Sequence, residues 1–438
     1  MKVPGTRELR RMDVPRGARS TLPRGCLRPS TRGAAPRRAP SVLPTALAES
    51  SSEKSSEVGR RSVYLKNMTL AELEDYCEAE LDEPRRRAAH VWTHMYGDNF
   101  LSRSLGGEEE GNGNDGENRE FSGRFLDKMS ERGVDVGAGL SLASSRTASD
   151  GTKKLVFRRD SEGGVGEVET VLIPVQGEGR KSRVTVCVSS QVGCAMGCKF
   201  CFTGLMGLEA NLTAGEIVEQ VVEAKRAQKG TPLPVTNIVY MGMGEPFDNY
   251  DEVVKSIRIL TQGGKGYTAF SERKITVSTV GLVPEMRRFV AETDAQLAVS
   301  LHATTESQRQ SIVPQNSKHG LHEIVGALEE LFPLGMTSGS HGRHVLIEYV
   351  MLRGVNDAEE DAERLAGLLA HVECKVNLIV FNTFEGAPFG PSNVEEVRAF
   401  RAILVKSGLV CTVRDSRGDD KMAACGQLGL GKRRRKKV

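Results

Sequence analysis

From Arg183 onward the chain repeats one alternation of short apolar runs and amphipathic ones. RVTVCVSS, NIVYMGM, KITVSTV, QLAVSLH, HVLIEYVML and KVNLIVF read as strands, each with helical sequence after it. TAGEIVEQVVEAKRAQ is one such helix, with apolar Ile217, Val218, Val221 and Val222 at helical spacing. Strict alternation predicts a parallel sheet with crossover helices. Six or so such units predict an α/β fold, either a closed barrel or an incomplete one, a partial (β/α)6 barrel. In such folds the reacting groups gather at the carboxyl ends of the strands.

The rest of the chain is organised around this core. Residues 1–60 are rich in Arg, Pro and Ser and poor in acids, the composition of an organelle transit peptide. Abundant Ser and Pro favour plastid over mitochondrion. The plain alternative is a disordered basic arm on a cytoplasmic protein. Residues 62–150 read as a small helical N-terminal domain. In it NMTLAELEDYCEAE offers a capping box from Thr69 to Glu72, and EPRRRAAHVWTHMYGDNF and FSGRFLDKMSERG supply two more helices. The acidic, Gly-rich stretch 106–118 interrupts it as a disordered insertion. KKLVFRR and VETVLIPV predict a connecting hairpin over 152–180. The core spans 181–418, a cysteine-bearing loop 419–430, and a basic tail 431–438.

Bulk properties exclude several classes. No run approaches the roughly 18–20 apolar residues of a membrane span. A net charge of +3 over 438 residues is too mild to diagnose a nucleic-acid partner. Nine cysteines, an odd number unevenly spaced, argue against a secreted disulfide framework.

Four of them fall in CVSSQVGCAMGCKFC, Cys187 to Cys201. Cys194, Cys198 and Cys201 follow the first core strand, at its active end. Three close thiolates hold zinc or an iron–sulfur cluster. A closed zinc site wants four ligands, and no second C-x2-C knuckle or His follows nearby. Three ligands on a four-iron cube leave one iron open to chelate a substrate.

C-x3-C-x2-C after the first strand of a parallel barrel is the radical S-adenosylmethionine signature. Further strings follow in order: MGMGEP, ITVSTVG, AVSLHA, IEYVML with VND, CKVNLI and RGDDKMAACGQL. Together, over about residues 62–430, the chain resembles the bacterial-type dual-specificity RNA methyltransferases that act on adenosine C2. The resemblance implies a [4Fe-4S] cluster on Cys194, Cys198 and Cys201, and S-adenosyl-L-methionine, two per turnover. It implies that Cys425 carries the methyl group as S-methylcysteine. Cys187 then resolves the RNA adduct by attacking that sulfur, which leaves a disulfide, and Glu169 accepts the C2 proton. Gly244, Glu245, Ser278, Ser300, Leu301, His302 and Asn382 are implied cofactor contacts. A radical route suits the chemistry: adenine C2 lies between two ring nitrogens and is too electron-poor to attack a sulfonium methyl.

The implied partners are ribosomal RNA, with transfer RNA left open, an electron donor such as ferredoxin or flavodoxin, and a thiol reductant. No membrane is implied, and the chain is expected to be a monomer. Arg85–Arg87 offer a basic run for phosphates, against the alternative of a solvated helix face. Cys77, Cys374 and Cys411 read as packing residues, and Cys26 as leader. Two departures stand out from the family strings: Glu209–Ala210 before NLT, and Thr383 within NTF. Two other functions compete, an adenine-C8 methyltransferase of the related resistance type and a non-catalytic iron–sulfur RNA-binding protein. The second has no need of Glu169, Cys187 and Cys425 together.

Overall fold

The computed structural model describes residues 62–97, 121–137, 139–159, 166–176, 182–262, 268–314, 318–335, 343–414 and 416–429. The leader, Cys26, the insertion 106–118 and the tail 431–438 lie outside the described residues. In chain order the elements begin with β1 (Val63–Tyr64), α1 (Leu70–Ala79), α2 (Arg87–Tyr96), α3 (Gly123–Glu131) and β2 (Val134–Asp135). Next come β3 (Leu140–Thr147), β4 (Lys153–Arg159), β5 (Glu167–Val175), β6 (Arg183–Val188), β7 (Gln191–Cys194), α4 (Phe202–Met206) and β8 (Gly207–Asn211). Then follow α5 (Ala214–Ala227), β9 (Val235–Tyr240), α6 (Tyr250–Thr261), β10 (Ile275–Thr279), α7 (Val283–Glu292), β11 (Gln296–Ser300), α8 (Glu306–Ile312) and α9 (Leu321–Leu331). The last are β12 (Val345–Met351), α10 (Glu359–Leu368), β13 (Cys374–Val380), α11 (Val394–Lys406) and β14 (Val410–Arg414).

Ten strands form one open sheet in the order β14-β13-β12-β11-β10-β9-β6-β5-β4-β3. The run from β6 to β14 is parallel throughout. The sheet is thus the open, partial-barrel arrangement of parallel strands and crossover helices that the alternation predicts, with one parallel strand more. The seventh, β14, escapes a periodicity reading because Val410 and Val413 stay exposed at the sheet edge. Central strands show the opposite pattern. Val277, Val299, Ile347 and Val376 are fully buried, as parallel strands covered on both faces must be.

Two local differences bear on the site. The expected hairpin over 152–180 is a three-stranded antiparallel meander, because LSLASSRT, placed in the helical domain from sequence, pairs with β4 as β3. Its last strand, β5, runs antiparallel to β6 and sets Val171 opposite Cys187. The second difference is that β7 and β8 form a small hairpin around the cysteine triad. Gly193 turns it at φ 77°, and a Cβ there would lie 1.9 Å from the Gly207 carbonyl oxygen.

Of the N-terminal helices, α1 and α3 start at side-chain caps, Thr69 and Ser122, and α2 starts without one. Thr69 and Glu72 make the reciprocal capping box of α1, and Thr213 and Glu216 repeat it on α5. The turn before α1 is keyed to the barrel by a buried Lys66–Glu219 ion pair and by Asn67 Oδ1, which accepts from Gly215 N–H at 2.7 Å. Two of the three arginines of the basic run are paired within the helical domain: Arg85 with Glu74, Asp75 and Glu78, and Arg87 with Glu83.

Candidate active site

Six of the seven parallel strands, β9 to β14, contribute to one cavity from their own residues or from those just beyond their carboxyl ends. Gly242, Gly244 and Glu245 follow β9, Ser278 and Thr279 end β10, and Ser300 ends β11 with His302 just beyond. Glu348 and Val350 come from β12, Phe381 and Asn382 from the end of β13, and Arg414 from β14. Cys194, Cys198 and Cys201 line the same cavity, and so does Cys425 from the C-terminal loop.

The triad is positioned by the β7–β8 hairpin. Cys194 ends β7, Cys198 sits in the turn, and Cys201 caps α4. Burial pushes Cys194 up to about 12 and raises the Cys198 and Cys201 thiols as well. Soft, buried thiols of this kind ionise only beside a cation, and they suit iron. Among the described residues no three His, Cys, Asp or Glu groups converge as ligands of a single ion. A cube spreads its irons apart, so it asks its three sulfurs to line one wall rather than meet at a point.

Gly244 adopts φ 102°, and a Cβ would stand 2.6 Å from that of Gln191. The close approach that requires glycine is therefore to the protein's own Gln191. That buried side chain was missed from sequence. It accepts from Glu245 N–H at 2.9 Å and donates to Asn211 at 2.8 Å and Asp248 at 3.1 Å. The Glu245 carboxylate accepts from Phe247 N–H at 3.1 Å and Val280 N–H at 2.9 Å. Burial still pushes it up to about 7, so an incoming cation such as an ammonium would favour its ionised form.

His302 has φ 60°, and its Nδ1 accepts from Val350 N–H at 3.1 Å. That bond places the ring proton on Nε2. Burial, with Arg309 adding to it, holds the ring neutral down to about 3. Ser278 and Ser300 hydroxyls sit 3.3 Å apart on neighbouring strands. Leu301 is different. It is fully buried off the cavity wall, and its N–H donates to the Glu348 carbonyl at 3.1 Å.

Cys187 lies behind Cys425. A smaller adjoining cavity is lined by Cys187, Val171, Ile173, Arg417 and Ala424, and shares Cys425, Arg414, Asn382, Met241, Ile379 and Leu428 with the first. Both thiols are free. Burial pushes Cys187 up to about 12, while the Arg414 guanidinium acts in the opposite sense. Cys425 is open to solvent, yet the protein packed around it also raises its thiol, again opposed by Arg414. Burial disfavours charge on Arg414, but the two thiols and Glu348 outweigh it. Glu348 accepts from Asn377 at 2.9 Å on one oxygen, and its other has no partner among the described residues. Neither Arg414 nor Glu348 carried a sequence signal: β14 shows no apolar run, and Glu348 sits in the middle of β12.

Glu169 lines neither cavity. It is buried on β5, 3.2 Å from Lys154 Nζ, and accepts from Gly429 N–H at 3.0 Å. Of the two departures, Glu209 and Ala210 lie on β8 beside the triad, and the Thr383 carbonyl accepts from Gln427 at 2.9 Å. Cys77, Cys374 and Cys411 are buried away from both cavities. Among the described residues no helix is long and apolar enough to cross a membrane.

Residues 188–366 match the Radical SAM superfamily. The chain is 41% identical over 370 residues to the dual-specificity RNA methyltransferase RlmN of Geotalea uraniireducens (strain Rf4), covering 84% of this chain and 96% of that one. It is 46% identical over 296 residues to the same enzyme of Anaeromyxobacter dehalogenans (strain 2CP-C), covering 66% and 75%. The crystal structure of a radical SAM methyltransferase from Sphaerobacter thermophilus superposes with a TM-score of 0.72 at 40% identity, covering 83% of this chain and 98% of that one.

Proposed function

The chain belongs to the dual-specificity RNA methyltransferase family, and from that membership we propose that it methylates C2 of an adenosine in ribosomal RNA, with transfer RNA as a second substrate class. One observation carries the reading to these residues: Cys425 stands on the wall common to the cavity of the cysteine triad and the cavity of Cys187.

Cys194, Cys198 and Cys201 would hold a [4Fe-4S] cluster, which with S-adenosyl-L-methionine supplies an electron and a carbon radical. The protein's own groups do the rest. Glu245 accepts the cofactor's ammonium. Ser278, Ser300, His302 and Asn382 line the same cavity and would contact the cofactor. Cys425 carries the methyl carbon, which loses one hydrogen atom to the carbon radical and bonds to adenosine C2; when the C2 proton leaves, the remaining single electron would return to the cluster. Cys187, as thiolate, attacks the Cys425 sulfur; the sulfur–carbon electron pair leaves with the carbon, which takes a proton and becomes the methyl group. A Cys187–Cys425 disulfide remains and needs a thiol reductant. Arg414 faces both thiols and favours the thiolate that this attack requires. Glu169 takes the C2 proton.

The same reading calls for a low-potential electron donor of the ferredoxin or flavodoxin class and for action as a monomer. The acid-poor leader supports import into an organelle, plastid before mitochondrion; residues 1–60 fused to a fluorescent protein would test it, and a diffuse cytosolic signal would count against it. For the reaction, anaerobic reconstitution with RNA followed by nucleoside mass spectrometry is expected to give 2-methyladenosine. Finding 8-methyladenosine, or no methylated base, would overturn the assignment.

A further inference from the structure

One buried ion pair ties down both ends of the segment that carries Cys425. Lys154 Nζ stands 3.2 Å from Glu169 Oε2 and also donates to the Met422 carbonyl at 3.0 Å. The same Glu169 oxygen accepts the Gly429 N–H at 3.0 Å. Met422 and Gly429 bracket Cys425 on either side. Met422 is held at φ 53°, a left-handed conformation that a residue with a side chain rarely keeps unaided.

The strand register explains how the pair comes to be there. Lys154 pairs with Val171, and Val171 with Cys187, so Lys154 and Cys187 point to one face of the sheet. Glu169, two residues before Val171, shares that face. A lysine with 4% exposure at a core-facing strand position is costly unless its charge is used. Lys154 and Glu169 stand just outside the two cavities that share Cys425, and both bond to the segment that carries it.

We propose that Lys154 is a positioning residue that joins Glu169 to the Cys425 segment, so that a proton gained by Glu169 frees the segment. The proposal rests on the reading of Glu169 as acceptor of the adenosine C2 proton. That proton moves to a carboxylate oxygen and makes it a neutral acid. Lys154 then loses its counter-charge, and the bond from Gly429 loses its ionised acceptor. Both ties weaken in the same event, when Cys187 must reach the Cys425 sulfur. The segment is thereby fixed during loading and radical formation and released for resolution.

The test uses the full-length protein without RNA or added cofactor. Glu169→Gln keeps the shape of the side chain and removes its charge. Hydrogen exchange of residues 418–429 should rise on the order of tenfold or more, since bonds to charged groups are the stronger class. Exchange of α10 and α11 should not change. Lys154→Met should match it, and Lys154→Arg should restore much of the protection. As a second readout, a diazene oxidant takes two electrons and two protons from Cys187 and Cys425 as they form a disulfide. Bond formation should quicken several-fold in Glu169→Gln, with Cys374 and Cys411 still unreactive. Should Lys154→Met fold poorly, the neutral pair Lys154→Met/Glu169→Gln serves in its place. Parent-like protection of 418–429 in Glu169→Gln or in the neutral pair overturns the proposal, as does loosening spread across the whole sheet. Because neither readout needs turnover, that failure is distinct from failure to form 2-methyladenosine.

Discussion

Asn382 donates from Nδ2 to the backbone carbonyl of Cys425 at 3.2 Å, and its Oδ1 accepts from the Ser416 hydroxyl. The asparagine at the end of the sixth parallel strand thus fixes the carrier residue directly, besides lining the cavity. A single bond of this kind contributes about 0.5–1.5 kcal/mol net. Asn382→Ala should therefore slow methyl loading of Cys425 by up to roughly tenfold, with overall stability little changed. Intact-mass measurement of the methylated fraction over time checks this. Unchanged loading would place the role of Asn382 elsewhere.

Cys194→Ala, Cys198→Ala and Cys201→Ala should each lose the iron–sulfur chromophore and all activity. Three thiols are already the fewest that anchor a cube, and no further cysteine lines that end of the cavity except Cys425. Cys374→Ala, in the core and away from the cavity, should keep its iron. Iron and sulfide assays on anaerobically purified variants decide the matter, and full iron content in any triad variant would contradict the assignment.

His302 predicts an acid limb of stability. In the folded chain it stays neutral down to about 3, against 6.5 when free. The unfolded chain therefore binds the extra proton between those values. The contribution of His302 is fully present above 6.5 and is lost progressively as the pH falls toward 3, on the order of a few kcal/mol in all. His302→Asn places Oδ1 where Nδ1 accepts from Val350 and tolerates the left-handed backbone. Denaturant unfolding at several pH values should show a shallower loss between 6 and 4 in this variant. Equal slopes would mean that His302 does not titrate in this way.

What the sequence disclosed was what depends on local order along the chain. Ile217, Val218, Val221 and Val222 declared a buried helix; the end of the NIVYMGM strand pointed to Glu245, while Ser278, Ser300 and His302 were singled out by the family resemblance and not by local order. The triad spacing announced itself. Sheet-edge and long-range features did not. Val410 and Val413 are exposed, so β14 lacks an apolar signal, and Arg414 at its end went unseen. Lys154 looked like one of two lysines opening a strand. Only the pairing of β4 with β5, and the return of the chain hundreds of residues later, gives it Glu169 and Met422 as partners. Leu301 is the converse: its neighbours face the cavity, and strand alternation turns it into the core.

The two thiols outside the triad should separate by their products. Cys425→Ala removes the atom that carries the methyl group, so no covalent RNA can form. Cys187→Ala leaves Cys425 intact and open to the main cavity, so the methyl carbon still bonds to C2. No other thiol among the described residues lines the smaller cavity, and the triad thiols that share the main cavity with Cys425 would be taken up by the cluster, so none is left to attack the Cys425 sulfur. A protein–RNA adduct through Cys425 should therefore accumulate in Cys187→Ala. Its link is a thioether, which disulfide reductants do not cleave. Denaturing gels of enzyme produced with RNA present, before and after nuclease, should show a nuclease-sensitive band in Cys187→Ala and none in Cys187→Ala/Cys425→Ala. Glu169→Ala should trap a similar adduct, since the C2 proton stays in place. Normal turnover by Cys187→Ala would mean that the adduct is resolved by a thiol from another molecule, and the smaller cavity would lose its role in the reaction.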